Sequence, residues 1–269
     1  MNMNDKTSDT ASQPLLRLRD ITLGYDGNTL YSNVNLSVGR GELVTLIGAN
    51  GAGKSTLLRC VTGSLHPISG EVMIDGRNLD TITKKDLAQL VSVVNTERIM
   101  AGALTVEEVA SLGRQPYTGF FGRLGQRDYE IVSKSLEDVG MTAFVDRQLA
   151  SLSDGERQKV MIARALAQET PVIVLDEPTA FLDVASRIET MQLLSSLAKE
   201  EGKAVILSSH DVGSALRMSQ RLWLITGGTP RRILDGTPAQ LIEEGALGKL
   251  FPGRSVTFDR SSLDFVSEH

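Results

Sequence analysis

With 269 residues, the chain is long enough to bury a sizeable core as one large domain or two subdomains. A formal net charge of −5 argues against a nucleic-acid binder that relies on a basic surface. The single cysteine, Cys60, excludes an internal disulfide framework, and its place in the apolar run Leu57-Leu58-Arg59-Cys60-Val61 reads as a buried thiol in a reducing compartment.

Residues 1–14 are polar, lack the apolar stretch of a secretory signal, and are expected to form a disordered tail. Leu15 to Val38 reads as two short strands around the turn Tyr25-Asp26-Gly27-Asn28, followed by a strand from Leu43 to Ile47 and a helix from Lys54 to about Val61. A hairpin-like segment spans Gly70 to Gly76, a short helix ends over Asp86 to Leu90, and Val91 to Val94 is a β-branched strand. From Thr105 to Ala167 the patterns are mostly helical: Thr105 and Glu108 make a capping box, and Asp128 to Val139 is an amphipathic helix stopped by Gly140. Strand signals return at Val172 to Leu175, Ala204 to Ser208 and Leu222 to Thr226, with a helix from Val184 to Glu201 among them. A helix from Pro238 to Leu250 and a hairpin-like tail follow Gly236. Strands interleaved with helices imply an α/β fold with a mainly parallel sheet, and the helical block reads as an insertion in it. No apolar stretch of about 18 residues occurs, so any membrane role must come through a partner.

The strongest signal is Gly48-Ala49-Asn50-Gly51-Ala52-Gly53-Lys54-Ser55-Thr56, which satisfies the P-loop pattern after an apolar strand and before an apolar helix. The glycines let the backbone curl so that several N–H groups face one anion, and the helix N-terminus adds its partial positive charge. Lys54 is expected on the β- and γ-phosphates, and Ser55 on Mg²⁺. The run Val172-Ile173-Val174-Leu175-Asp176-Glu177-Pro178 places two acids at the C-terminal end of an apolar strand, where such sheets bind ligands. Asp176 is expected to hold Mg²⁺, directly or through water, and Glu177 to act as general base on the attacking water.

Leu152-Ser153-Asp154-Gly155-Glu156-Arg157-Gln158 lies between these motifs and resembles the signature of ABC transporter ATPases. Phe181-Leu182-Asp183 resembles that family's D-loop, Ser208-Ser209-His210-Asp211 its switch histidine, and Tyr25 the aromatic that stacks on adenine. The resemblance runs from about Leu15 to Gly236 and implies a P-loop NTPase (RecA-like) core over residues 15–95 and 170–236, with an N-terminal antiparallel β subdomain and an inserted α-helical subdomain over about 96–169. Residues 237–269 would be a C-terminal helix and tail. The resemblance also implies ATP and Mg²⁺, and a homodimer in which the P-loop of one subunit and Ser153, Asp154, Gly155 and Glu156 of the other enclose each ATP. Transmembrane permease subunits would be the direct partners and a substrate-binding protein outside the membrane an indirect one, with the chain on the cytoplasmic side and no nucleic acid involved.

Two positions depart from the family pattern. Asp154 stands where the first signature glycine is expected, so its carboxylate must either point away from phosphate or be screened. No glutamine follows the strand Val91 to Val94; the chain reads Asn95-Thr96-Glu97-Arg98, and by register Thr96 takes that place. The segment Leu112-Gly113-Arg114-Gln115-Pro116-Tyr117 resembles a stretch found in ATPases of metal-chelate importers for ferric siderophores, haem and cobalamin. With Phe120 and Phe121, Tyr117 is expected either to receive a permease helix or simply to pack on the helical subdomain. Import of a metal chelate is the leading expectation; an exporter ATPase or a soluble ATPase of the iron–sulfur assembly type are the alternatives.

Overall fold

The computed structural model describes residues 13–25, 27–95, 103–119, 122–180, 182–251 and 255–267. Asp26, Thr96, Glu97, Phe120, Phe121 and Phe181 therefore lie outside the described residues, as do residues 1–12 of the expected tail.

Two strands open the fold, β1 (Leu16–Tyr25) and β2 (Asn28–Val38). They run 10 and 11 residues, longer than the sequence suggested, because register shifts along their antiparallel pairing absorb the breaks in alternation. After β3 (Leu43–Ile47) and α1 (Lys54–Val61), the strands β4 (Ser69–Ile74) and β5 (Arg77–Asn78) complete a four-stranded sheet in the order β2-β1-β4-β5. A short α2 (Lys84–Leu87) leads to β6 (Val91–Val94).

The helical stretch holds α3 (Val106–Ser111), α4 (Gln126–Asp138) and α5 (Asp154–Ala167). Thr105 and Glu108 form the expected capping box on α3. The helix expected to begin at Asp128 begins at Gln126 instead; Asp128 sits one turn in and accepts the Gly125 N–H at 2.9 Å. The chain then gives β7 (Val172–Leu175), α6 (Val184–Glu201), β8 (Ala204–Ser209), α7 (Val212–Met218), β9 (Arg221–Thr226) and β10 (Arg232–Gly236).

The main sheet is ordered β10-β9-β3-β8-β7-β6, with every pair parallel except β9 and β10. Its inner strands β3, β7 and β8 are buried along their whole length, which explains their unbroken apolar runs. One core fills the space between this sheet, α1 and the antiparallel sheet, with Leu18, Leu23, Tyr31, Leu57 and Trp223 among its members. A second lies on the opposite face, where α5 and α6 cover the sheet through Ile162, Leu175, Leu194 and Leu207.

The single helix expected from Pro238 to Leu250 is two pieces: α8 (Pro238–Glu243) ends before Gly245, whose φ of 64° breaks it, and a separate turn of 3-10 helix follows at Ala246–Lys249. The tail is the predicted hairpin, β11 (Val256–Asp259) with β12 (Asp264–Ser267).

Candidate functional site

The loop between β3 and α1 leaves the C-terminal edge of the main sheet. Gly51 and Gly53 adopt φ of 71° and 93°, left-handed values that side-chain-bearing residues rarely take. At Gly53 a side chain is excluded twice over, since a Cβ would stand 2.6 Å from Leu30 Cδ2 and 2.7 Å from the Tyr31 hydroxyl.

Lys54 turns back over this loop. Its side chain is 6% exposed, and its ammonium donates to the Gly48 carbonyl at 3.0 Å and lies 3.6 Å from Glu177 Oε1. Burial pulls its pKa below the ordinary lysine value, against the opposing pull of Glu177 and Asp176. A buried cation held by carbonyl oxygen and carboxylate gains when a polyanion takes over those contacts.

The two acids after β7 are fixed by the neighbouring strand. Ser208 of β8 donates to Asp176 Oδ1 at 2.6 Å and accepts the Glu177 backbone N–H at 2.8 Å. Glu177 sits at φ 49°, a strained conformation for a non-glycine residue and one that is concentrated at functional sites. His210, just past β8, places Nε2 2.6 Å from Glu177 Oε1 and Nδ1 3.4 Å from Lys54 Nζ. A proton on Nε2 satisfies both contacts, with Nδ1 free to accept.

Ser55, Asn95 and Asp176 line one cleft of about 420 Å³, together with Val93 and Val174. An alcohol, an amide oxygen and a carboxylate are hard oxygen donors, which suit Mg²⁺ completed by water and phosphate oxygens. Among the described residues no group of three or more His, Cys, Asp or Glu is placed to hold a metal. On the rim, Tyr25 is 46% exposed and its hydroxyl lies 3.4 Å from Thr56 Oγ1, leaving the ring face available for stacking.

The predicted signature residues start α5. Ser153 is its N-cap: its hydroxyl accepts the Glu156 N–H at 3.3 Å and donates to Glu156 Oε2 at 2.8 Å, while its own N–H donates to the same carboxylate oxygen at 2.8 Å. Those bonds stay within the first turn of α5, so an incoming anion would have to compete with Glu156 for Ser153. Asp154 pairs with Arg157 one turn on, at 3.1 Å. Gly155 faces the start of α6, where an added Cβ would come within 3.4 Å of Ser186 Oγ. Asp183 caps α6 by accepting the Ser186 N–H at 2.8 Å, which pulls its pKa below the usual carboxylate range.

The Gly113-Arg114-Gln115-Pro116-Tyr117 stretch is built into the helical packing. Arg114 is 3% exposed and donates to Asp128 at 2.9 Å, to Glu169 at 2.8 Å and to the Ala167 carbonyl at the end of α5 at 2.6 Å. The Tyr117 ring stacks on its guanidinium at 4.1 Å, and the Tyr117 hydroxyl donates to the Gln168 carbonyl at 2.8 Å. Of the two expectations for Tyr117, the structure supplies the packing contacts.

The structure thus gathers Lys54, Ser55, Asp176, Glu177 and His210 at one sheet edge. Sequence reading missed Ser208 as the brace of both acids; the available signal was a hydroxyl residue late in the apolar strand Ala204–Ser209. It also missed Asn95 in the cleft, and Tyr31 and Arg231, which donate to the carbonyls of Ala52 and Gly51.

A family model described as ABC transporter matches residues 31–180. The iron(3+)-hydroxamate import ATP-binding protein of Bacillus subtilis (strain 168) is 35% identical, over 88% of this chain and 87% of its own length. The ferric enterobactin transport ATP-binding protein of Escherichia coli (strain K12) is 32% identical, over 93% of this chain and 92% of its own. Among solved structures, a bacterial ABC transporter cassette in dimeric form superposes with a TM-score of 0.65 at 29% identity, covering 77% of this chain and 93% of that one.

Proposed function

The chain belongs to the ABC transporter family of ATP-binding, ATP-hydrolysing subunits, and on that premise we propose that it energises import of a metal chelate of the ferric siderophore, haem or cobalamin kind. The observation that carries the proposal is the convergence of Lys54, Asp176, Glu177 and His210 at one sheet edge, in a chain similar over most of its length to iron-chelate import subunits. No helix among the described residues is long and apolar enough to cross a membrane, so the chelate's path must be supplied by permease subunits. The chain would work on their cytoplasmic side, and a substrate-binding protein outside the membrane would deliver the chelate.

ATP binds with its adenine on Tyr25 and its phosphates against backbone N–H groups of the loop from Gly48 to Thr56. Lys54 exchanges the Gly48 carbonyl and Glu177 for phosphate oxygen, and Ser55 and Asp176 hold Mg²⁺. When bound, Mg²⁺ neutralises charge on the phosphate oxygens. Glu177 then accepts a proton from the attacking water, while the His210 imidazole orients that water against the γ-phosphate. Ser153 and Gly155 of a second copy close over the same phosphate, with Asp154 drawn aside by Arg157. ATP therefore bridges two subunits, and its cleavage removes the bridge.

The test is retrieval of the full chain from native membranes with its permease, followed by ATP-dependent uptake into proteoliposomes. The expected result is vectorial entry of a labelled ferric hydroxamate, ferric catecholate, haem or cobalamin handed over by a binding protein. A permease that only expels substrate, or recovery with soluble iron–sulfur proteins alone, overturns the import reading and leaves the ATPase assignment standing.

A further inference from the structure

We infer that Tyr31 and Arg231 are positioning residues for nucleotide binding: two donors from outside the P-loop that hold its Gly51 and Ala52 carbonyls turned outward. The inference rests on the reading of the loop from Gly48 to Thr56 as the ATP site.

Tyr31, in the middle of β2, is fully buried, and its hydroxyl donates to the Ala52 carbonyl at 2.7 Å. Burial pushes this phenol above its ordinary range, so it stays protonated and remains a donor. Arg231 arrives from the opposite end of the chain, in the turn between β9 and β10. Its backbone N–H donates to the Leu30 carbonyl at 2.9 Å, which joins the edges of the two sheets through a bridge between Tyr31 and Arg231. From there its guanidinium donates to the Gly51 carbonyl.

In a planar trans peptide the C=O of one residue and the N–H of the next point in opposite directions. Fixing the Gly51 carbonyl on Arg231 directs the Ala52 N–H the other way, where it closes the loop by donating to the Ala49 carbonyl at 2.9 Å. Fixing the Ala52 carbonyl on Tyr31 likewise turns the Gly53 N–H away from β2, toward the mouth of the loop. An amide already aimed costs nothing to orient when phosphate arrives. The steric fit at Gly53 points the same way. The Tyr31 hydroxyl and the Leu30 side chain occupy the space a Cβ would need, so β2 serves as the outer wall of the cradle. Neither residue belongs to the P-loop pattern, and both act through the loop's backbone rather than on ATP.

The experiment is calorimetric titration of the full-length chain with Mg-ATP and Mg-ADP, together with steady-state ATPase, for wild type, Tyr31→Phe, Arg231→Met and Arg231→Lys. Tyr31→Phe removes one oxygen and is expected to raise Kd for ATP and ADP alike by about tenfold, while kcat at saturation stays within about twofold. Arg231→Met is expected to weaken both by about threefold, with Arg231→Lys recovering part of the loss. In a variant combining Tyr31→Phe with Arg231→Met the losses should fall short of additive, because both changes loosen one loop. Unchanged Kd in both single variants, or a fall in kcat at constant KM, overturns the inference. If Tyr31→Phe does not fold, the partly exposed Arg231 decides alone through the same Kd readout. Failure of wild type itself to bind ATP would overturn the reading of the loop on which the inference rests.

Discussion

Ser208 holds Asp176 across the β7–β8 boundary with a 2.6 Å hydrogen bond, and the same hydroxyl receives the Glu177 N–H at 2.8 Å. One buried side chain thus sets the rotamer of one acid and the strained backbone of the next. Ser208→Ala leaves the Glu177 N–H without its partner, at a cost of about 1–3 kcal/mol in stability. Turnover should drop by about tenfold or more through misplacement of the acids, with ATP affinity changed less than kcat. Denaturant unfolding and steady-state kinetics on the same preparation separate the two effects.

Lys54→Ala should keep the fold, because the lysine sits at the end of the sheet rather than in either core. Hydrolysis should vanish and ATP affinity weaken by about tenfold or more, as a charge-assisted contact to phosphate is lost. Ser55→Ala should instead raise the Mg²⁺ concentration needed for half-maximal ATPase. A magnesium titration at saturating ATP reads this directly; an unshifted midpoint counts against Ser55 as a ligand.

Glu177→Gln preserves shape and removes the base. Turnover is expected to fall by about 100-fold or more, while ATP still binds and joins two copies. Sizing chromatography with and without ATP, repeated with permease present, should show a nucleotide-dependent dimer in this variant. A chain that stays monomeric in both settings argues against the two-subunit ATP site.

Arg114→Ala should be a stability variant first. It removes the shared partner of Asp128 and Glu169 and uncaps the end of α5, at a cost of about 1–3 kcal/mol because both carboxylates keep access to water. The Asp128 pKa is pulled down by the Gly125 N–H and by Arg114. A carboxylate depressed in the folded state stabilises above its unfolded pKa, and that contribution is lost as pH falls through the folded value. Acid unfolding of Arg114→Ala should therefore be less steep in that window, with the Gly125 bond supplying what remains. Thermal melts across an acidic pH series measure both.

Thr96 and Glu97 follow Asn95 at the entry to the helical stretch. Thr96→Ala is expected to lower permease-stimulated turnover more than basal ATPase, and Glu97→Ala to leave both near wild type. ATPase assays with and without permease in proteoliposomes compare them; the opposite ranking would move the register by one residue.

The loop and acids of the candidate site could be placed from sequence because the pattern ties residue types to order: glycines where φ is positive, Lys54 next, and Asp176 and Glu177 at a strand end. The mainly parallel sheet was equally legible, since strands buried on both faces cannot hide their apolar runs. What could not be read was support arriving from distant sequence. Tyr31 looks like one more core aromatic of a strand, and Arg231 like a surface charge beside Pro230, until β2 and β10 are brought edge to edge. Ser208 reads as the fading end of an apolar strand. Sequence left open whether the loop around Tyr117 docks a partner or packs inward; the Arg114 guanidinium beside it is sunk among Asp128, Glu169 and the end of α5. A long apolar stem whose head is paired with two carboxylates and a carbonyl can be buried, and periodicity cannot report that.

The position of β3 bears on how the chain comes to life on the ribosome. This strand carries the P-loop, yet its neighbours are β8 and β9, made from the far end of the chain. The antiparallel sheet of β1, β2, β4 and β5 has its partners early and can close while synthesis continues. β3 must wait for Leu43 to meet Val205 and for Val44 to meet Arg221 before either of its edges is covered. Arg231 emerges later still. A nascent or truncated chain that ends before β8 would hold every residue of the loop from Gly48 to Thr56 and yet leave it on an unpaired strand.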